Sequence, residues 1–137
     1  MLEHKVYSGE SLDIHYDFLV EHEIDCLTWK FLKLPLVNQD SVEIIRQQNH
    51  RLIWLSREDY ALSGNRGFVK KIDNGTFENI SDNLDPKCFR FILDGKLLNG
   101  LLEISGNFCR LTKNDEYSFI NNRNISLENL YKLVILI

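Results

Sequence analysis

Short runs of apolar and β-branched residues, separated by turn-forming residues, dominate the chain. Apolar and polar positions alternate within many of these runs, as they do in strands that bury one face. The pattern predicts eight strands, at residues 5–7, 14–21, 27–32, 51–55, 67–72, 88–93, 100–105 and 109–112. Asp73-Asn74-Gly75 and Asp94-Gly95 supply residues that tolerate positive φ, so we expect tight hairpins at both places.

Helical periodicity is confined to two segments. Residues 38–46 are predicted to form a short helix, with Asp40 or Ser41 as its N-cap. The spacing of Leu127, Leu130 and Val134 predicts a terminal helix over residues 126–134, although the last five residues of the chain, 133–137, have strand-like β-branching. Eight short strands with one or two short helices favour an all-β barrel or sandwich.

Length, composition and charge narrow the class of protein. With 137 residues, 44% of them hydrophobic, we expect a single domain with a substantial core. The net charge is −4, and Lys and Arg are scattered rather than gathered in the basic stripe common in nucleic-acid binders. Three widely spaced cysteines, Cys26, Cys88 and Cys109, indicate reduced thiols. With no signal-like or membrane-length apolar run, the sequence predicts a cytoplasmic protein without membrane contact.

The most distinctive polar residues are His15 and Asp17. Residues i and i+2 of a strand project from the same face, so this imidazole and carboxylate point one way while Tyr16 and Phe18 point the other. The pair is half of a metal site or of an acid–base site. The alternative is a hydrogen-bonded pair on a solvated strand face. His50 is a third candidate, for which the alternative is a polar residue at a strand entrance.

Several motifs occur in the order found in a known family. "HYDFLVEHEIDCLTWKF" is similar to a His-Tyr-Asp-Phe-Arg-Leu-Glu strand followed by a hairpin and a strand with a Trp. "NHRLIWL" is similar to Asp-His-Pro-Leu-x-Tyr, and "IDNGTFE" to Trp-Asp-x-Gly-Thr-Tyr-Glu. "FRFILDGKLLNGLLEI" and "RLTKNDEY" match two later motifs. From about residue 7 to residue 117, the chain therefore resembles the 3′-phosphoesterase domain of bacterial DNA ligase D, with residues 118–137 as a tail outside the match.

This resemblance implies a small, mostly antiparallel β-barrel whose surface cleft binds manganese or another divalent metal. The implied metal ligands are His15 and Asp17. His50 matches a further site histidine, which implies contact with the phosphate or a role as general acid, and these three residues form the implied catalytic set. The family's other metal-binding His is Gly9 here, its Arg is Leu19, and its Tyr is Trp54. His4 is a conceivable substitute ligand. Trp54 is expected either in the core or stacked on a base or sugar.

Three functions follow as hypotheses. The first is a monomeric, catalytically impaired member of the family that serves as a binding or structural module, on DNA 3′ ends or with a repair protein. Leu19 favours it, because an apolar side chain cannot replace the charged fork of an Arg on a phosphate. The second is a working manganese-dependent enzyme that removes 3′-phosphates or 3′-ribonucleosides from DNA ends. The third is a small-molecule-binding barrel that shares only the scaffold.

Overall fold

The computed structural model describes residues 1–8, 11–62, 67–82, 84–113 and 131–133, and strands make up most of these residues. One 3-10 helix, Leu52–Leu55, is the only helix in these ranges. The strands are β1 (Leu2–Ser8), β2 (Ser11–Glu21), β3 (Cys26–Phe31), β4 (Val42–His50), β5 (Asp59–Ala61), β6 (Phe68–Lys71), β7 (Gly75–Asn79), β8 (Cys88–Gly95), β9 (Asn99–Ser105), β10 (Phe108–Thr112) and β11 (Tyr131–Leu133).

All the strands belong to one antiparallel sheet with the order β11-β7-β8-β9-β10-β4-β3-β2-β1-β6-β5. The prediction of an all-β, antiparallel fold is therefore confirmed. No ladder among the described residues joins β5 to β11, although the backbone of β11 approaches β2. Closure of the sheet into a barrel thus stays a prediction.

An aromatic cluster holds the two halves of the sheet together. Phe18 of β2 and Trp29 of β3 are almost completely buried, and each contacts Phe91 of β8, with ring centroids 6.2 and 5.9 Å apart. Phe31 and Phe89 extend the cluster, at 5.2 Å from Phe18 and 5.0 Å from Trp29, respectively. These spacings are typical of stabilising aromatic pairs. Since β8 lies far from β2 in the strand order, the sheet must fold over on itself.

Two predicted elements are wrong at the centre of the chain. The predicted helix at 38–46 is replaced by the start of β4, because pairing of Ile44 with Phe31 buries both side chains completely. Tertiary pairing here overrides a weak local helix signal. The predicted strand at 51–55 is instead largely the 3-10 helix, in which the backbone N–H of Trp54 donates to the carbonyl of Arg51.

The C-terminal prediction can be compared only in part. Residues 131–133 form β11, which pairs with β7, so the predicted terminal helix is wrong at these positions. The rest of the segment from 126 to 134 lies outside the described residues. Within the described part of the chain, no helix is long and apolar enough to cross a membrane.

Asp73 links the two halves of the sheet rather than forming a hairpin turn. β6 pairs with β1 and β5, whereas β7 pairs with β8 and β11, so the hairpin predicted at Asp73-Asn74-Gly75 is wrong. The Asp73 carboxylate is buried in the β8–β9 turn instead. It accepts hydrogen bonds from the backbone N–H groups of Lys96, Leu97 and Leu98, at 2.9, 3.0 and 2.8 Å. The hairpin predicted at Asp94-Gly95 is confirmed.

We expect Asp73→Ala to lower the free energy of unfolding by about 3 kcal/mol, because it leaves three backbone donors without their charged acceptor. Asp94→Ala is the matched control, since exposed Asp94 accepts a hydrogen bond from the side chain of Asn99. That change should stay within about 0.5 kcal/mol of the wild type. Urea unfolding followed by circular dichroism measures both. Equal losses in the two variants would contradict this role for Asp73.

Candidate metal centre

The centre of β2, residues 17–20, is buried on both faces of the strand, and alternation there separates the core from a polar site. Phe18 enters the aromatic cluster, while His15 and Asp17 project from the opposite face, as their spacing predicts. Leu19, on the same face as Asp17, is fully buried. The polar pair is also largely shielded from solvent, since each of its side chains is 12% exposed.

β1 brings a second histidine to this pair. His4 lies directly opposite His15 in the β1–β2 ladder. The distance from His4 Nδ1 to His15 Nε2 is 3.0 Å, and His15 Nε2 lies 3.6 Å from Asp17 Oδ1. One ligand atom from each of the three residues lies within 4.8 Å of the others. Strand pairing therefore assembles two imidazoles and a carboxylate from two adjacent strands.

These three residues open onto a cavity of about 360 Å³. Apolar side chains from β1, β6 and the segments around the 3-10 helix and β5 form part of its wall. The polar residues that line it are His4, His15, Asp17, Lys30, Gln47 and His50, and the apolar ones are Leu2, Trp54, Leu62 and Val69. The structure thus brings His15, Asp17 and His50, all predicted as site residues, into one cavity.

A β-bulge positions His50. Gln47 and His50 are three residues apart, so a regular strand would place them on opposite faces. Thr28 pairs with Gln47, however, and Cys26 pairs with His50, so two residues of β4 oppose one residue of β3. The bulge lets both side chains line the same cavity. Asn49 is one of the two residues of β4 in the bulge. Its side-chain amide donates hydrogen bonds to Asp25, and Arg46 donates one to its Oδ1.

Burial sets the protonation of the pair. Burial, together with repulsion from His4 and Lys30, lowers the pKa of His15 to about 4, so this imidazole is neutral at pH 7. Burial also raises the pKa of Asp17, whereas His50, His4 and Lys30 oppose that shift. Metal ligation requires an imidazole without its second proton, which is the state that burial favours at His15.

The donor set fits a divalent ion. Adjacent ligands of an octahedral ion with bonds of about 2.1 Å lie about 3.0 Å apart. The separations of 3.0 and 3.6 Å around His15 Nε2 are close to that value. Imidazole and carboxylate together suit manganese and zinc. His15 Nδ1 is buried and has no hydrogen-bond partner among the described residues, so His15 lacks the outer partner that usually orients a metal-bound histidine.

Other predicted features lie outside the set of three candidate ligands. Gly9, which the resemblance matched to a metal-binding His, lies outside the described residues. Trp54 lines the cavity and carries the guanidinium of Arg57 over its ring, 4.8 Å from the centroid. Cys26 and Cys109 are buried thiols, and burial raises the pKa of each to about 12, so neither is an activated nucleophile.

Sequence reasoning gave His4 a minor place and missed Lys30 and Gln47. A hairpin between Ser8 and Ser11 places His4 opposite His15, and a hairpin between Glu21 and Cys26 places Lys30 opposite Asp17. Counting outward from these turns would have revealed both residues. Gln47 could not be found in this way, because its segment was predicted to be at the end of a helix.

A comparison of the chain with protein-family models finds no match, and a comparison with curated proteins finds none either. The resemblance to the 3′-phosphoesterase domain therefore depends on the motifs in the sequence.

The low pKa of His15 predicts a loss of stability in acid. Below about pH 6.5 the unfolded chain binds a proton at His15, whereas the folded protein binds that proton only near pH 4. The free energy of unfolding therefore falls as the pH is lowered across this interval. The contribution is at most about 3 kcal/mol. Asp17 acts with the opposite sign, because its raised pKa favours the folded state as the pH falls.

We therefore compare the wild type with His15→Gln by urea unfolding between pH 7 and pH 4.5. The wild type should lose more stability than the variant over this interval. Parallel curves would show that His15 is not held neutral by the fold.

Proposed function

We propose that this protein is a metal-dependent phosphoesterase related to the 3′-phosphoesterase domain, with an antiparallel barrel fold, and that it acts on DNA 3′ ends. The observation that carries the proposal is the convergence of His4, His15 and Asp17 beside His50 in one cavity. Two histidines and a carboxylate form a three-residue ligand set that leaves other coordination positions to water or substrate.

We propose His4 as the third protein ligand, which the match to the family motif lacks. The position of the family's first metal-binding His is Gly9, which leaves two protein ligands if only His15 and Asp17 are counted. The β1–β2 pairing supports a different third ligand, since His4 Nδ1 lies 3.0 Å from His15 Nε2. In this proposal, a histidine on β1 replaces one that the family carries nearer to the His-Tyr-Asp motif.

The residues divide the chemistry between them. His4, His15 and Asp17 would hold the ion, which supplies polarisation of a phosphoryl oxygen when bound. Nδ1 of His50 lies 3.0 Å from the backbone carbonyl of Gln48, where it donates a hydrogen bond. This leaves Nε2 of His50 to contact the phosphate or, when protonated, to give its proton to the leaving oxygen.

A second candidate function is a module that binds DNA 3′ ends without catalysing a reaction on them. Leu19 favours it, because this fully buried aliphatic side chain occupies the position of the family's phosphate-binding Arg. Phosphoryl transfer depends mainly on positioning and on charge stabilisation. Loss of one such donor typically slows a reaction by about 10²–10³-fold.

Metal binding is tested first, by stability. Manganese at about 100 times its dissociation constant should raise the free energy of unfolding of the wild type by about 2.7 kcal/mol, and a chelator should reverse the gain. His4→Ala, His15→Ala and Asp17→Ala should each abolish it. His22→Ala is the matched control, because His22 is an exposed histidine in the β2–β3 turn. Full stabilisation of the three site variants would overturn the proposed centre.

Activity is tested with an oligonucleotide that ends in a 3′-phosphate or a 3′-ribonucleotide, incubated with manganese. The wild type should release phosphate or the nucleoside, and His50→Ala should slow release by about 100-fold while manganese still stabilises the variant. His22→Ala should retain full activity. Metal binding and oligonucleotide binding without any product would favour the binding module over the enzyme.

A further inference from the structure

Lys30 is a half-buried cation in the wall of the cavity. It lies directly opposite Asp17 in the β2–β3 ladder, next to Trp29, which turns into the aromatic core. Among the described residues that line the cavity, Lys30 is the one Lys or Arg side chain. Its charge acts on both site residues of β2, since it helps to lower the pKa of His15 and opposes the rise in the pKa of Asp17.

The ammonium of Lys30 is not neutralised by its neighbour. Asp17 faces it across the ladder, yet no carboxylate oxygen of the described residues lies within 4.0 Å of Lys30 Nζ. Asp17 approaches His15 instead, at 3.6 Å. A lysine in a partly enclosed cavity with no close counterion is suited to bind an anion from solution.

The anion would share the cavity with the ligand set. Leu19 provides no charge, and His4 and His15 hold the ion in the proposed centre. A phosphate group beside His4, His15 and Asp17 therefore needs a fixed cation from another strand, and β3 supplies one. We propose that Lys30 is the residue that binds the phosphoryl oxygens of the substrate, so that the phosphate-binding charge comes from β3 rather than from β2. This inference rests on the proposed function.

The test uses inorganic phosphate as the probe and the full chain, with and without manganese. Dissociation constants come from phosphorus-31 line broadening with manganese and from calorimetry without it. Lys30→Gln should weaken phosphate binding by about 10- to 100-fold, which is the effect of losing one charge-assisted hydrogen bond. Lys30→Arg should keep the affinity within about threefold, because the charge is retained.

Lys70→Gln is the matched control. Lys70 is exposed on β6, next to the cavity-lining Val69 and on the other face of that strand, so its removal should leave phosphate binding unchanged. Circular dichroism shows whether each variant folds, and Lys30→Met, which keeps most of the aliphatic stem, replaces Lys30→Gln if the latter does not.

Manganese affinity, measured separately by electron paramagnetic resonance, distinguishes the two proposals. If manganese binds but Lys30→Gln leaves phosphate affinity unchanged, the role of Lys30 is overturned and the metal centre stands. If phosphate binding depends on Lys30 but manganese does not bind, the inference stands and the proposed function falls. Lys30→Gln should bind manganese as tightly as the wild type or more tightly, since a repelling charge is removed. If the wild type binds neither ion, both proposals are overturned.

Discussion

The register of β2 between β1 and β3 is the constraint on which both the core and the site depend. The centre of β2 is buried on each face, with Phe18 among the aromatic rings and Asp17 at the cavity. A slip of one residue would exchange the faces, placing carboxylate and imidazole against Phe91 and a phenyl ring in the polar cavity. The same ladders that define the core therefore align His4 with His15 and Lys30 with Asp17.

The site gains its chemistry from unfavourable burial. Removing His15 and Asp17 from water disfavours the charged form of each, which keeps the imidazole neutral and leaves the carboxylate poorly solvated. His15 is not fully compensated by the protein, because its Nδ1 has no partner among the described residues. A cation bound between His15 and Asp17 would relieve that deficit. The aromatic core on the other face of β2 provides stability that offsets the cost of burying this polar arrangement.

Most strands were predictable because alternation is a local property of the sequence. Pairing is not local, and that explains where prediction failed. Residues 38–46 carry a weak helix signal, but Ile44 gains more from burial against Phe31 than from a helical turn. Asp73 has the residue type of a hairpin turn, yet it acts as an acceptor for a turn more than twenty residues away. His15 and Asp17 could be found from their spacing alone, whereas His4 and Lys30 required the registers of two hairpins.

The bulge in β4 determines the orientation of His50 but not the pairing of β4 in the core. It lies between Gln47 and His50, outside the aromatic cluster, and His50 reaches the cavity only because β4 carries one residue more than β3 there. Straightening this bulge without loss of a residue would place Asn49 opposite Cys26 and turn His50 to the opposite face. The core pairing of Ile44 with Phe31 lies beyond the bulge and would keep its register. A substitution that straightens β4 would therefore remove His50 from the pocket in a protein that still folds, whereas deletion of one bulge residue would leave His50 two residues from Gln47, on the cavity face.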